Sequence, residues 1–582
     1  MTPGRRWTIL LREVGRHRAR FTSGIVLLVA TNILALAIPW MLKEAVDAVQ
    51  RRDSAGRVAA IAAGIGCVAL VQALVRTLSR IAILGASRHI VYDLRNRFFE
   101  RLIGLPAPFF DRFRTGDLMS RAVNDLMLIR SFFGPGIMNL ANTILSWTGA
   151  VALMAMIDLR LTLWSLIPYP FVLIAMNRLS RALYRGSQRA QEQLAVISSR
   201  AQENLAGQAQ VKAYDMAARE IEGFNALASE LRARNLILAR VRGAIVPLMG
   251  SVGGVGTLLV LWVGTRHVIQ GTLSLGDFVA FNAYLASLAW PTIAMGWILN
   301  VFQRSQGALA RISEVLDAED PPHGAVRDPA PPPAGTDLVV KGLGFAYGGS
   351  GSPALEEVSF SVPPGGTLGI VGPVGSGKST LLRLLSRLYS PSHGEILLGG
   401  LELDRIAEDD LRHAVAFVPQ ESFLFSMSLA ENIALGRADA GRAEIEEAAR
   451  RAGLARDLAD LPQGWETPVG ERGYTLSGGQ RQRTALARAL LVGPRILLLD
   501  DPFASVDAAT EEAVLAELYA ADGMTRIVAG HRVSAVARAD EILVLDRGRI
   551  VERGTHASLI GGGGLYARLF ERQRTEREIE SA

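Results

Sequence analysis

The stretch GIVGPVGSGKST, residues 369–380, decides how the second half of the chain is read. It holds the pattern G-x-x-x-x-G-K-S over Gly372–Ser379, after an apolar strand pattern and before the helical run TLLRLLSRLY. Glycines at 375 and 377 let backbone N–H groups approach phosphate oxygens, and a helix N-terminus adds its dipole. Lys378 is placed to reach the β- and γ-phosphates and Ser379 to ligate Mg²⁺, with Ser376 and Thr380 completing the set. An ordinary Gly-rich turn needs neither the strand before it nor the helix after it.

About 120 residues on, ILLLDD (496–501) ends four apolar residues in two acids. Alone, such a run reads as a buried strand meeting a polar loop. Paired with the phosphate loop, Asp500 is expected to hold Mg²⁺ in an ATP site. Between the two lies YTLSGGQRQRTALARALL, where Ser477, Gly478, Gly479 and Gln480 open a second helix whose N-terminus favours phosphate.

At 582 residues the chain is too long for one core, so two or more domains are expected. Hydrophobic residues make up 49% and charged residues 20%, which directs attention to membrane segments. The net charge of +6 is carried almost wholly by arginine; the lysines are Lys43, Lys212, Lys341 and Lys378. A basic chain raises nucleic-acid binding. However, Arg5, Arg6, Arg12, Arg16, Arg18 and Arg20 stand just before a long apolar stretch, the asymmetry of a cytoplasmic N-terminus. That stretch is too long for a signal-peptide core and lacks a small-residue cleavage site. The single cysteine, Cys67, excludes an intramolecular disulfide.

Six segments approach or exceed the roughly 20 helical residues that cross a bilayer core. They lie near Phe21–Leu42, Val58–Ile83, Phe133–Ile157, Leu161–Met176, Ala244–Ile269 and Phe278–Val301. The third and fourth are separated only by DLR, which requires a tight hairpin, and the fourth carries Pro168 and Pro170. Long Arg-rich connections near Arg88–Arg130 and Asn177–Arg242 fall on the side of the N-terminus, so both termini are expected in the cytosol. Their helical periodicity predicts helices that project beyond the membrane. The Pro-rich 317–336 reads as an extended linker, 337–571 as an α/β domain and 572–582 as a charged tail.

Carrying LSGGQ at 476–480, the chain resembles an ATP-binding cassette (ABC) exporter half-transporter, a resemblance covering nearly its whole length. It implies a multidomain fold: an all-α six-helix transmembrane domain over 1–316, then an α/β P-loop NTPase domain. It also implies ATP and Mg²⁺ as cofactors, membrane lipids and a second half-transporter as partners, and the plasma membrane as location. Tyr347 in FAYGG resembles the adenine-stacking aromatic. Gln420 in AFVPQESFLF resembles the glutamine that ligates Mg²⁺, Glu471 the acid that signals between domains, Asp507 a loop acid that crosses to the partner and His531 the switch histidine. Each also has a bland reading: a core Tyr, a surface Gln or Glu, a helix-capping Asp, a satisfied His. The segments 94–130 and 201–221 resemble the two intracellular loops, each expected to carry a short coupling helix. The chain starts directly before the first helix, so no peptidase domain is expected ahead of it.

The resemblance implies a Glu after the Mg²⁺ acid; this chain has Asp501. One methylene less draws the carboxylate back by about 1–1.5 Å. An intact signature with a short water-positioning acid suits a heterodimer, in which LSGGQ completes a partner's fast site and the chain's own phosphate loop holds a slow one. A slow homodimer, an ATP-gated channel and a regulatory membrane subunit are the alternatives. The substrate class stays open among drugs, lipids and peptides. Arg76 and Arg80, one turn apart, either attract an anionic amphiphile or snorkel to the interface.

Overall fold

The computed structural model describes residues 15–318, 335–348, 352–504, 506–520 and 523–581. Most of the linker and Ser505 lie outside them, and the side chains of a few helical residues between 172 and 293, of residue 508 and of residues 576–581 are likewise not described. The chain divides into two units, Met1–Gly104 with Thr115–Ala318, and Leu105–Arg114 with Glu319–Ala582.

The described residues of the first unit form helices and the short turns between them. α1 (Arg18–Gln50) and α2 (Ala55–Ile103) pack along their length, and Gly24 is what lets them close. A Cβ there would lie 2.5 Å from Ile83 Cγ1, and Ser79 Oγ donates to the Gly24 carbonyl at 2.8 Å. Small residues serve apolar helix pairs because backbone contact replaces the hydrophobic drive that lipid cannot supply. The short helix α3 (Ala107–Arg112) belongs to the second unit.

α4 (Thr115–Ile157) contains two π-helical turns, Arg121–Asp125 and Phe132–Gly136, the second holding Pro135. Asp158 then turns extended (φ −157°, ψ 112°) and its carboxylate accepts from Leu161 N at 2.9 Å, capping α5 (Leu159–Leu166). α5 stops at Ile167, and α6 (Pro168–Ala206) begins with Pro168, where no intrahelical N–H is needed. α7 (Gln208–Ala213) is short, and α8 (Ala217–Ile269) runs 53 residues. α2, at 49 residues, and α8 are each roughly 70–80 Å long at 1.5 Å per residue, more than twice a bilayer core. α9 (Leu275–Ser287) and α10 (Ala289–Leu316) finish the unit. Among the described residues four helices are long and apolar enough to cross a membrane, Arg18–Gln50, Ala55–Ile103, Thr115–Ile157 and Leu275–Leu316, with Gly254–Ile269 a shorter apolar stretch.

Several polar groups inside this unit pair between helices. Asn32 Nδ2 donates to Asn142 Oδ1 at 3.1 Å and Ser146 Oγ to Asn32 Oδ1 at 2.9 Å, tying α1 to α4. Arg121 donates to Glu314 at 2.7 Å while Arg311 grips Asp125 through two bonds, tying α4 to α10. Asp47, 5% exposed, accepts from Gly276 N at 2.9 Å and from Ser274 Oγ at 3.1 Å, holding the start of α9 against the end of α1.

The second unit is an α/β fold. An antiparallel sheet runs in the order β2 (Leu355–Val362), β1 (Leu338–Phe345), β4 (His393–Leu398), β5 (Leu401–Glu402). A six-stranded sheet runs β10 (Arg549–Gly554), β9 (Glu541–Asp546), β3 (Thr367–Val371), β8 (Thr525–Gly530), β7 (Ile496–Asp500), β6 (Val415–Val418). All its pairings are parallel except β9 with β10. β3, β7 and β8 are buried along their whole length, as expected of parallel strands covered on both faces.

Removing an acceptor at a buried helix end strands the donors that used it. Asp47→Ala is therefore expected to lower stability in detergent by about 1–3 kcal/mol. Asp47→Asn, which keeps one acceptor, should cost less, both read as shifts in the thermal unfolding midpoint.

Candidate nucleotide-binding site

The parallel strands β3, β8, β7 and β6 lie side by side, so the residues that follow their carboxyl ends fall along one edge. After β3 comes the loop from Gly372, after β8 His531, after β7 Asp501, and two residues past β6 Gln420. This is the edge where open α/β sheets bind ligands.

The loop after β3 admits only glycine at its key turns. A Cβ on Gly372 would lie 2.1 Å from the Leu545 carbonyl, and one on Gly377 (φ +103°) 2.7 Å from that of Ala354. Gly375 has φ +80°. Helix α11 (Lys378–Leu385) starts at once, its first N–H groups facing the loop. Lys378 Nζ donates to the carbonyls of Gly372 at 2.8 Å and Pro373 at 2.9 Å, with Ser376 Oγ at 3.4 Å. Burial pulls the Lys378 pKa down, opposed by the carboxylates of Asp500 and Asp501. Ser379 Oγ donates to Asp500 Oδ1 at 3.0 Å. Burial raises the Asp500 pKa, and the Ser379 bond, Arg383 and Lys378 pull the other way.

Asp501 has φ +49°, a left-handed backbone that Asp and Asn enter more easily than longer side chains. Its N–H donates to the Ala529 carbonyl at 2.7 Å, locking the turn to β8. Its Oδ2 lies 2.7 Å from His531 Nδ1, and Gln420 Nε2 reaches the same oxygen at 3.5 Å. With Asp501 ionised, Nδ1 carries the ring hydrogen and Nε2 is the remaining polar ring atom.

Tyr347 Oη lies 3.1 Å from Thr380 Oγ1 and accepts from Arg383 at 3.3 Å. Its ring stands edge-on to Phe345 (4.9 Å) and Tyr389 (5.6 Å). Tyr389 in turn donates to Asp111 of α3 at 2.7 Å; burial and the Asp111 carboxylate both raise its pKa. Neither Tyr389, Asp111 nor Arg383 stood out in the sequence, because no spacing signal links residues so far apart.

Ser477 to Gln480 form a closed capping box at the start of the helix Gly478–Leu491. Ser477 N donates to Gln480 Oε1 at 2.9 Å and Gln480 N to Ser477 Oγ at 3.2 Å. Gly479 is buried in that turn and Ser477 exposed. Asp507 accepts from Thr510 N at 2.9 Å, a helix-capping bond that lowers its pKa. Among the described residues neither this turn nor Asp507 bonds to the loop after β3, so there the two phosphate-favouring helix starts are separate.

The donor set fits a nucleotide with Mg²⁺. A cradle of backbone N–H groups and an ammonium suits phosphates. One hydroxyl and one carboxylate at 3.0 Å suit a cation that keeps several waters and shares phosphate oxygens. Among the described residues there is no cluster of three His, Cys, Asp or Glu that would favour a transition metal.

Because the folded Asp500 pKa lies above its ordinary value, its ionised form costs stability at neutral pH, a cost relieved as pH falls through that value. Asp500→Asn should accordingly raise the unfolding temperature without nucleotide and abolish the further rise on adding Mg-ATP, both read by thermal shift.

Residues 21–292 match the family described as ABC transporter transmembrane region, and 355–504 that described as ABC transporter. The multidrug resistance-like ATP-binding protein MdlA of Escherichia coli is 36% identical over 97% of this chain and 96% of its own length. The probable multidrug resistance ABC transporter ATP-binding/permease protein YheI of Bacillus subtilis is 35% identical over 95% of each. A solved bacterial Atm1-family ABC exporter with ATP bound superposes with a TM-score of 0.78 at 28% identity, over 96% of this chain and 98% of that one. The chain belongs to the ABC exporters, as a half-transporter whose ATPase domain couples ATP hydrolysis to transport through its helical membrane region.

Proposed function

We propose that this chain is one half of a heterodimeric exporter that moves hydrophobic or amphipathic compounds, and that its own phosphate loop serves the slower of two ATP sites. The observation that carries the reading is Asp501. Its carboxylate ends one methylene short of a glutamate and is held at 2.7 Å by His531. A misplacement near 1 Å can cost on the order of 10²-fold in rate, whereas Asp and Glu differ too little in acidity to do so.

In this reading Lys378 and the N–H groups of Gly375 to Thr380 hold the phosphates, and Tyr347 stacks on adenine. Ser379, Asp500 and Gln420 would hold Mg²⁺, which would supply neutralisation of phosphate charge. Asp501 orients water while His531 orients Asp501 and reaches the γ-phosphate. Ser477, Gly478, Gly479, Gln480 and Asp507 face the partner's nucleotide. That the signature box stands complete yet apart from the phosphate loop supports assignment to a second chain's site. The ATPase domain lies in the cytosol beside the plasma membrane.

Multidrug names among the relatives favour a drug-like substrate. Arg76 and Arg80 are exposed on α2, where they suit an anionic headgroup. A slow homodimer is the second reading, favoured by the intact Asp501–His531 bond. The purified chain alone should hydrolyse ATP slowly, and Asp501→Glu should raise the rate about 10- to 100-fold. Full-rate hydrolysis by the chain alone, with no gain from Asp501→Glu, would overturn the heterodimer reading.

A further inference from the structure

The helix at the end of the chain, Leu565–Ser581, is built into the ATPase domain at both ends of its described half. At its start Glu552 accepts from Leu565 N and from Tyr566 N, the latter at 3.2 Å. Tyr566 is fully buried, with its hydroxyl 2.6 Å from His556 Nδ1, and Phe570 stands edge-on to the same His556 at 5.5 Å. Leu565, Leu569 and Phe570 pack on the core that also holds Val533 and Val536. Two turns from Tyr566, Gln573 reaches the backbone next to the nucleotide edge. Its Nε2 donates to the His531 carbonyl at 2.6 Å and its Oε1 accepts from Val533 N at 2.9 Å.

We propose that Gln573 is a positioning residue for His531, and through it for the Asp501 carboxylate; this rests on the role given to His531 above. An amide with one donor and one acceptor matches the two backbone groups it grips. Val533 N is among the donors that have no intrahelical acceptor at the start of the short helix Val533–Val536, and the His531 carbonyl lies just outside β8. The other side-chain supports of this segment act differently. Glu511 accepts from Ser534 at 2.8 Å and from Arg532 at 3.2 Å, through side chains and not through the backbone of His531. Among the described residues, the imidazole, whose side chain is 49% exposed, is oriented by its bond to Asp501. Its backbone is therefore where orientation is imposed, and Gln573 is what holds that backbone from outside the sheet.

The test uses the full chain in nanodiscs, with single-turnover ATP hydrolysis and hydrogen–deuterium exchange read on the same preparations. Gln573→Ala should lower the hydrolysis rate about tenfold with ATP affinity unchanged, and speed exchange over residues 529–536 at least about threefold, as loss of local protection. Exchange over 378–385 and 496–500 should not change. Gln573→Glu, which can still accept from Val533 N but cannot donate to the His531 carbonyl, should lose as much rate as the alanine variant. In a His531→Ala background, Gln573→Ala should cost nothing further. An unchanged rate or unchanged exchange at 529–536 overturns the proposal. So does a further loss in the His531→Ala background, or faster exchange throughout the domain. A His531→Ala variant with the wild-type rate overturns instead the role assigned to His531.

Discussion

The parallel ladder β3–β8–β7–β6 is the constraint on which the ATP site depends. Gly372, Gln420, Asp501 and His531 are separated by as many as about 160 residues, and no local interaction could assemble them. Backbone hydrogen bonds in register do it, because four strands that point the same way must end on the same side. The strands' apolar faces, buried on both sides, supply the stability, and the polar residues at their ends inherit the alignment without contributing to it. A slip of one residue in β7 would turn Asp500 to the opposite face and separate it from Ser379.

At that edge opposing electrostatic demands are balanced. Lys378 and Asp500 are each pushed by burial toward their neutral forms, and each is pulled back toward charge by the other. The lysine meanwhile is bonded to loop carbonyls, which are weaker partners than phosphate oxygens. The site is therefore suited to the phosphates of a nucleotide. Such a balance destabilises the domain slightly and is characteristic of functional sites.

Much of this was legible in the sequence. The G-x-x-x-x-G-K-S spacing, the apolar run ending in Asp500 and the Ser-Gly-Gly helix start each state a local geometry, and the structure gives a loop, a strand end and a capped helix there. The membrane region was harder. The expected segment near Leu161–Met176 loses hydrogen bonding around Ile167, because Pro168 and Pro170 lack N–H groups, although the Ile167 backbone stays helical (φ −51°, ψ −40°). What could not be read were contacts between distant polar groups: Asp111 with Tyr389, Gln573 with His531, Asp47 with Gly276. These depend on which surfaces tertiary packing brings together. A glutamine on a charged terminal helix looks identical whether it faces water or a backbone. Asp501 stands out in the sequence for its short reach; its left-handed turn, which independently suits Asp, shows only in the backbone.

The two π turns of α4 have a consequence for how that helix meets its neighbours. Each accommodates one more residue than an α turn, and one residue is about 100° of rotation. Two insertions therefore put the stretch before Arg121 and the stretch after Gly136 about 200° out of phase, although the rod is continuous. The near half can thus aim Arg121 and Asp125 at α10, and the far half can aim Asn142 and Ser146 at α1. One helical wheel drawn over 115–157 would therefore lose its phase at the first π turn and again at the second.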